Sequence, residues 1–146
     1  MGQLVLPAFG DVYVDANCII YSVEKVAPFA ELLRPLWEAA AAGRIRAVSS
    51  EVTLLETLVR PLKERNQRLE QFLLAFLLGS NEVRLVSVDD GTLVRAARVR
   101  AETGLKTPDA IHAATALASE CAMFLTNDKD FRRVNGLPVT VLSALV

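Results

Sequence analysis

The sequence predicts an α/β fold: a mainly parallel central sheet of four to five strands, with helices on both faces. Two observations carry that expectation. Short β-prone runs at 12–14, 45–48, 83–88, 123–125 and 139–142 are separated by segments whose apolar residues recur at helical spacing. Strands that alternate with helices pair in parallel, because each crossover has to return over a face of the sheet. Composition agrees: 52% hydrophobic and 23% charged residues supply one core and leave no disordered or low-complexity segment. A chain of 146 residues is sized for a single domain, 1–146.

Along the chain, residues 12–14 form the first strand, and a helix can begin at Cys18-Ile19-Ile20-Tyr21. From Pro28 onward, Phe29, Leu32, Leu33, Leu36, Trp37 and Ala40 fall on one stripe of a helix that Gly43 ends. The second strand, 45–48, leads to Ser49-Ser50, whose hydroxyls suit the N-cap of a helix carrying Val52, Leu55, Glu56 and Val59. Pro61 is expected to kink or end that helix. Between Arg65 and Ser80, Leu69, Phe72, Leu73, Phe76 and Leu77 repeat at helical period, while Leu74, Ala75 and Leu78 make the far side apolar as well. A helix apolar all round needs cover on both faces, so it is expected at a homodimer or partner interface together with the Phe29-to-Trp37 helix. After the third strand, Asp89-Asp90-Gly91 opens a helix that Gly104 closes. Thr107 is placed as the N-cap of the next helix and Pro108 at its first position. A fourth strand then leads through Asn127 to Phe131 into a short helix and a closing strand.

Sixteen Lys+Arg against 17 Asp+Glu give a net charge of −1, so contact with nucleic acid has to come from a local patch. The two cysteines, Cys18 and Cys121, form no CxxC pair and read as free buried thiols of a reducing compartment. No basic and apolar leader is evident, and the longest strongly apolar run, 72–78, is far short of a membrane span. A cytoplasmic protein with no membrane partner is expected.

In an open parallel sheet, ligands bind beyond the carboxyl ends of the strands. Asp15 and Asp128 follow strands, Asp109 lies in the first turn of a helix, and Glu56 is a carboxylate in a Leu- and Val-rich helix. Taken singly, the three aspartates read as helix caps or first-turn acids, and Glu56 as the partner of Arg60 at i+4. Gathered together they repel by roughly 4 kcal/mol per close pair, so the cluster persists only where cations neutralise it. Oxygen ligands without a Cys or His cluster suit Mg²⁺ or Mn²⁺.

The segments Val12-Tyr13-Val14-Asp15-Ala16-Asn17, Ser49-Ser50-Glu51-Val52-Thr53-Leu54-Leu55-Glu56, Thr107-Pro108-Asp109-Ala110-Ile111-His112-Ala113-Ala114 and Phe124-Leu125-Thr126-Asn127-Asp128-Lys129-Asp130-Phe131 resemble, in order, the four acidic motifs of the PIN-domain nucleases. The resemblance covers nearly the whole chain, and free-standing members of this length include the VapC-type ribonuclease toxins. It implies a PIN-like three-layer α/β/α fold in which Asp15, Glu56, Asp109 and Asp128 form an acidic metal site for Mg²⁺ or Mn²⁺. It further implies small polar residues beside that site at Asn17 and Thr126, with Asp130 as an additional acid. Glu51 competes with Glu56, but five positions on a helix separate them by about 140°, so one alone faces the cluster, and the family spacing selects Glu56.

The implied reaction is metal-assisted hydrolysis of an RNA phosphodiester, in which divalent ions activate a water and offset charge on the leaving oxygen. Arg60, Lys63, Arg65, Lys106 and Lys129 are candidates for phosphate contacts. His112, three residues after Asp109, is expected to steady the site by a hydrogen bond rather than act as general base. The implied partners are an RNA substrate, a cognate antitoxin and a second copy of the chain. The competing expectation is a catalytically weak PIN-like module acting through partner or RNA binding. A receiver-type phosphoacceptor domain is excluded, because the acidic pair Asp89-Asp90 follows a middle strand rather than the first.

Overall fold

Branched and aromatic residues form five short strands, β1 (Asp11–Val14), β2 (Arg46–Ser50), β3 (Val83–Val86), β4 (Met123–Thr126) and β5 (Val139–Val141). In the computed structural model, which describes residues 2–146, they make one sheet in the order β3-β2-β1-β4-β5. Every neighbouring pair is parallel. The connecting helices are α1 (Ala16–Val23), α2 (Phe29–Ala41), α3 (Val52–Lys63), α4 (Gln67–Leu74), α5 (Asp90–Thr103) and α6 (Thr107–Ser119).

Strand alternation divides the core in two. Val12, Val14, Ala47 and Leu125 face one side and pack with Ile19, Leu33, Leu36, Leu73 and Leu77 from α1, α2 and the α4 region. Tyr13, Val48 and Phe124 face the other and pack with Ala96, Val99, Ala110, Ala113 and Phe131 from α5, α6 and the turn after β4. This is the expected three-layer α/β/α arrangement. Helix α3 crosses the carboxyl end of the sheet, with Leu54 and Leu58 against the first core and Val52 against the second.

The chain winds from β1 outward to β3, then crosses back to add β4 and β5 on the other side. Strand order therefore reverses between β1 and β4, and such a switch point opens a crevice at the carboxyl ends of the two strands. Residues 15 and 126–128 lie there.

The structure corrects several local expectations. Ser49 and Ser50 belong to β2 rather than to a cap; Ser49 Oγ donates to Val14 O at 2.7 Å, and only Ser50 Oγ receives a helix N–H, from Val52. Pro61 sits buried inside α3, which runs on to Lys63. Thr107 is the first helical residue and Lys106 the cap, because Thr107 Oγ1 is occupied by Arg100 at 3.1 Å. The helix expected from 65 to 80 begins after the Asn66 cap and widens at Ala75–Gly79 into a π-helical turn. Helix α2 gives its apolar stripe to the core: Leu32, Leu33 and Leu36 are buried, Trp37 lies edge-on to Phe76, and Phe29 meets Tyr21. Cys18 and Cys121 are free and buried as expected, and burial pushes the Cys121 thiol up to about 11. Among the described residues, no helix is long and apolar enough to cross a membrane.

Candidate active site

Asp15 ends β1 and caps α1, and its two carboxylate oxygens serve different elements. Oδ1 accepts the Cys18 N–H at 3.2 Å, and Oδ2 accepts the Thr126 hydroxyl at 2.6 Å. Thr126 Oγ1 in turn accepts the Asp128 N–H at 3.0 Å, so one buried hydroxyl ties the ends of β1 and β4 together. Asp128 then caps its own turn, with Oδ1 accepting the Asp130 N–H at 2.9 Å. Capping and site membership are therefore compatible for both aspartates.

Asp109 reaches the same place from the first turn of α6, and Glu56 from the middle of α3. Burial pushes the Asp109 carboxyl up first, and the charge of Asp128 next; His112 opposes the rise, while Glu56 and Asp15 add to it. Asp109 thus feels all three of the other acids. Burial also raises Asp15, against the pull of His112, the Thr126 hydroxyl and the Cys18 N–H. Their grouping stops short of a closed cage: among the described residues, no three His, Cys, Asp or Glu side chains converge as a ready-made ion site. The donor set itself, all carboxylate oxygen, fits a hard divalent cation, which would relieve the burial that raises Asp15 and Asp109 and the repulsion that adds to it at Asp109.

The remaining candidates are placed unevenly. Glu51 is exposed and accepts the Val88 N–H at 3.2 Å, away from Glu56, whose Oε1 lies 2.6 Å from His112 Nε2. The sequence offered Arg60 as the partner of Glu56, but Arg60 bonds Glu24 at 3.2 Å and Glu64 at 3.4 Å. Asp130 pairs with Arg133 at 3.3 Å. Asn17 is exposed on α1, and Lys63, Arg65, Lys106 and Lys129 are all exposed, the last two flanking Asp109 and Asp128 in sequence. Tyr13, which sequence reasoning missed, joins this network: its hydroxyl lies 2.7 Å from His112 Nδ1. Strand alternation was the available signal, since Tyr13 is two positions before Asp15 and faces the α6 side.

A family model for the PIN domain matches residues 12–137, a span that includes all four acids. The chain belongs to the PIN-domain family. No curated protein matches this PIN domain at the sequence level. Solved structures do. VapBC2 from Rickettsia felis, bound to a promoter DNA fragment, aligns at TM-score 0.69 and 18% identity over 90% of this chain and 98% of that one. A toxin–antitoxin complex from Klebsiella pneumoniae aligns at 0.58 and 22%, over 89% and 96%. VapC20 from Mycobacterium tuberculosis, described as a sarcin–ricin loop cleaving toxin, aligns at 0.65 and 18%, over 83% and 92%. At such identities the likeness is one of fold.

Proposed function

We propose that this PIN-domain protein is a Mg²⁺- or Mn²⁺-dependent endoribonuclease and the toxin of a toxin–antitoxin pair. What supports the proposal is the placement of Asp15 and Asp128 at the switch point of the sheet, with Asp109 buried enough to be raised and raised further by the charges of Asp128, Glu56 and Asp15. These four residues would hold the ion, which supplies an activated water and charge neutralisation for phosphodiester hydrolysis. Asp15 is fixed by Thr126 and the α1 N-terminus, so its geometry is set before substrate arrives. Lys106 and Lys129, flanking Asp109 and Asp128, are positioned in sequence to meet phosphates on either side of the cleaved bond. Asp130, engaged by Arg133, is subordinate to the four.

A protein partner is supported by exposed apolar side chains. On α3, Leu55, Val59 and Leu62 recur at i, i+4 and i+7 with 66%, 54% and 54% of their surface exposed, and Phe72 of α4 is exposed to 56%. Such a face on a small protein marks an interaction surface. The Klebsiella structure of the same fold is a toxin–antitoxin complex, which supports an antitoxin as one occupant and a second copy of this chain as another.

The test is cleavage of a structured RNA by the purified chain with Mg²⁺ or Mn²⁺. Activity is expected to vanish with EDTA and to fall by more than ~100-fold in Asp15→Asn with the circular dichroism spectrum unchanged. Sedimentation of the same sample is expected to give a two-chain mass. The open spacing of the acids favours one rival, a PIN-like module that binds RNA or a partner with little catalysis. RNA binding without cleavage at saturating Mn²⁺ establishes the rival and overturns the nuclease.

A further inference from the structure

Tyr13, His112 and Glu56 form a chain of hydrogen bonds running from the sheet interior to the rim of the acidic site. The Tyr13 hydroxyl lies 2.7 Å from His112 Nδ1, and His112 Nε2 lies 2.6 Å from Glu56 Oε1. Tyr13 is fully buried and His112 exposes 1% of its surface, whereas the Glu56 side chain is 26% exposed. We propose that Tyr13 and His112 are positioning residues for Glu56, a strut that grips its carboxylate by Oε1 and leaves Oε2 for a divalent cation. The proposal rests on the ion-site reading of the four acids and assigns to that site two residues that stand beside those acids in the motifs without being acids themselves.

The directions of the bonds follow from what each group can do. An ionised carboxylate only accepts, so the proton between Glu56 and His112 belongs to Nε2. The Tyr13 hydroxyl closes the inner side of the ring at Nδ1. A ring with its only proton on Nδ1 would set the Nε2 lone pair against Oε1. His112 therefore carries a proton on Nε2. With both ring nitrogens engaged inside the fold, it is placed to steady Glu56 rather than to act as general base.

The strut is rigid because its inner end is clamped. Tyr13 lies in the central strand, stacked on Phe124 with centroids 5.0 Å apart and planes 5° from parallel, and His112 meets it edge-on at 5.8 Å and 77°. Phe131 supports Phe124 from beyond at 4.7 Å. At the outer end, the competing partner of Glu56 is removed, since Arg60 is held by Glu24 and Glu64. A flexible three-torsion side chain on α3 is thereby set in one orientation before any ion arrives, and partners of this kind, standing behind a ligand, govern metal affinity by about 10–100-fold.

The experiment is Mn²⁺ binding by the full chain without an affinity tag, so that His112 is the only histidine present. Calorimetry and electron paramagnetic resonance are expected to show binding about 10–100-fold weaker in His112→Ala. Tyr13→Phe, which keeps the aromatic stack and deletes the hydroxyl, is expected to weaken binding in the same direction. His112→Gln, whose amide N–H can still reach a carboxylate, is expected to restore part of the loss. The single imidazole gives a direct signature: its ¹⁵N spectrum is expected to show a protonated Nε2, with that resonance moving on Mg²⁺ addition. Folded variants that bind Mn²⁺ as tightly as wild type, or an Nδ1–H tautomer, overturn the strut. A wild-type chain that takes up no Mn²⁺ overturns instead the ion-site reading on which the strut depends. Should His112→Ala fail to fold, Tyr13→Phe and the tautomer decide the matter.

Discussion

Asp109 shows how a residue can work against the fold that holds it. Its carboxyl and that of Asp15 both titrate above the ordinary value of 3.8, so the metal-free fold holds their protons more tightly than the unfolded chain does. Stability from this source is fully present below pH 3.8 and is lost as pH rises through the raised values. Asp109→Asn removes the charge while keeping the shape. Its Tm is expected to exceed wild type by about 1–2 °C at pH 7, a small gain because the group is partly exposed and screened, and because a first-turn acid also forfeits ~0.3–1 kcal/mol of helix-dipole attraction. Toward lower pH the difference is expected to shrink, since the raised Asp109 carboxyl takes up its proton earlier than an ordinary aspartate as pH falls. Added Mn²⁺ is expected to raise the Tm of wild type and leave the variant unmoved. A thermal melt at each pH checks the sign, and a variant less stable at pH 7 than at pH 4 relative to wild type contradicts it. At this scale, Asp15, Asp109 and Asp128 stand beside strand or helix boundaries and Glu56 lies within α3, each in a motif that sequence singles out. His112 was expected to steady the site by a hydrogen bond, but its link to Tyr13 was not readable, because the two lie 99 positions apart and meet only once β1 and α6 are packed face to face.

Elements were legible to the extent that hydrophobic period and turn chemistry agreed. All five strands were found, as were the helix α2 from its apolar stripe and the helices α5 and α6 from their boundary residues. Errors arose where one residue serves two elements. Ser49 has the side chain of a cap, but parallel pairing extends β2 to Ser50 and commits the Ser49 hydroxyl to Val14 O. Pro61 breaks a helix only where nothing compensates, and here it is buried near the last turn of α3. Gly104 was read correctly as a stop: it adopts φ +75 and donates its N–H to Arg100 O at 2.8 Å. Nothing lies within 4 Å of a Cβ placed there, so a side chain meets only the backbone penalty of the left-handed region. Gly104→Ala is therefore expected to cost about 1–2 kcal/mol, seen as a Tm lower by roughly 3–6 °C. Because Arg100 also braces this corner through Leu105 O at 2.9 Å, the cost falls on the turn that aims α6, and Asp109 with it, at the site. An unchanged Tm would show that the corner relaxes freely.

At the scale of the whole molecule, the proposed action on RNA cannot draw on an overall attractive field, because the net charge is −1. Attraction has to be local, and the structure narrows its source. Arg60 is neutralised by Glu24 and Glu64, which leaves Lys63, Lys106 and Lys129 as the exposed candidate cations nearest the acids in sequence that make no ion pair among the described residues. Each phosphate neutralised on a single strand contributes about −0.7 to the slope of log K against log salt, so three contacts give a slope of about −2. That is shallow for a nucleic-acid-binding protein, and under the proposed function affinity for RNA is expected to grow when divalent ions cancel the carboxylates. Measured in Ca²⁺ to suppress turnover, the Lys106→Ala, Lys129→Ala double variant is expected to bind a looped RNA more weakly, with a slope near −0.7. Substituting Arg60 is expected to leave the slope unaltered. A slope of −4 or steeper in wild type would mean that RNA meets a basic surface elsewhere, and the placement of the substrate over the β1–β4 crevice would then have to be abandoned.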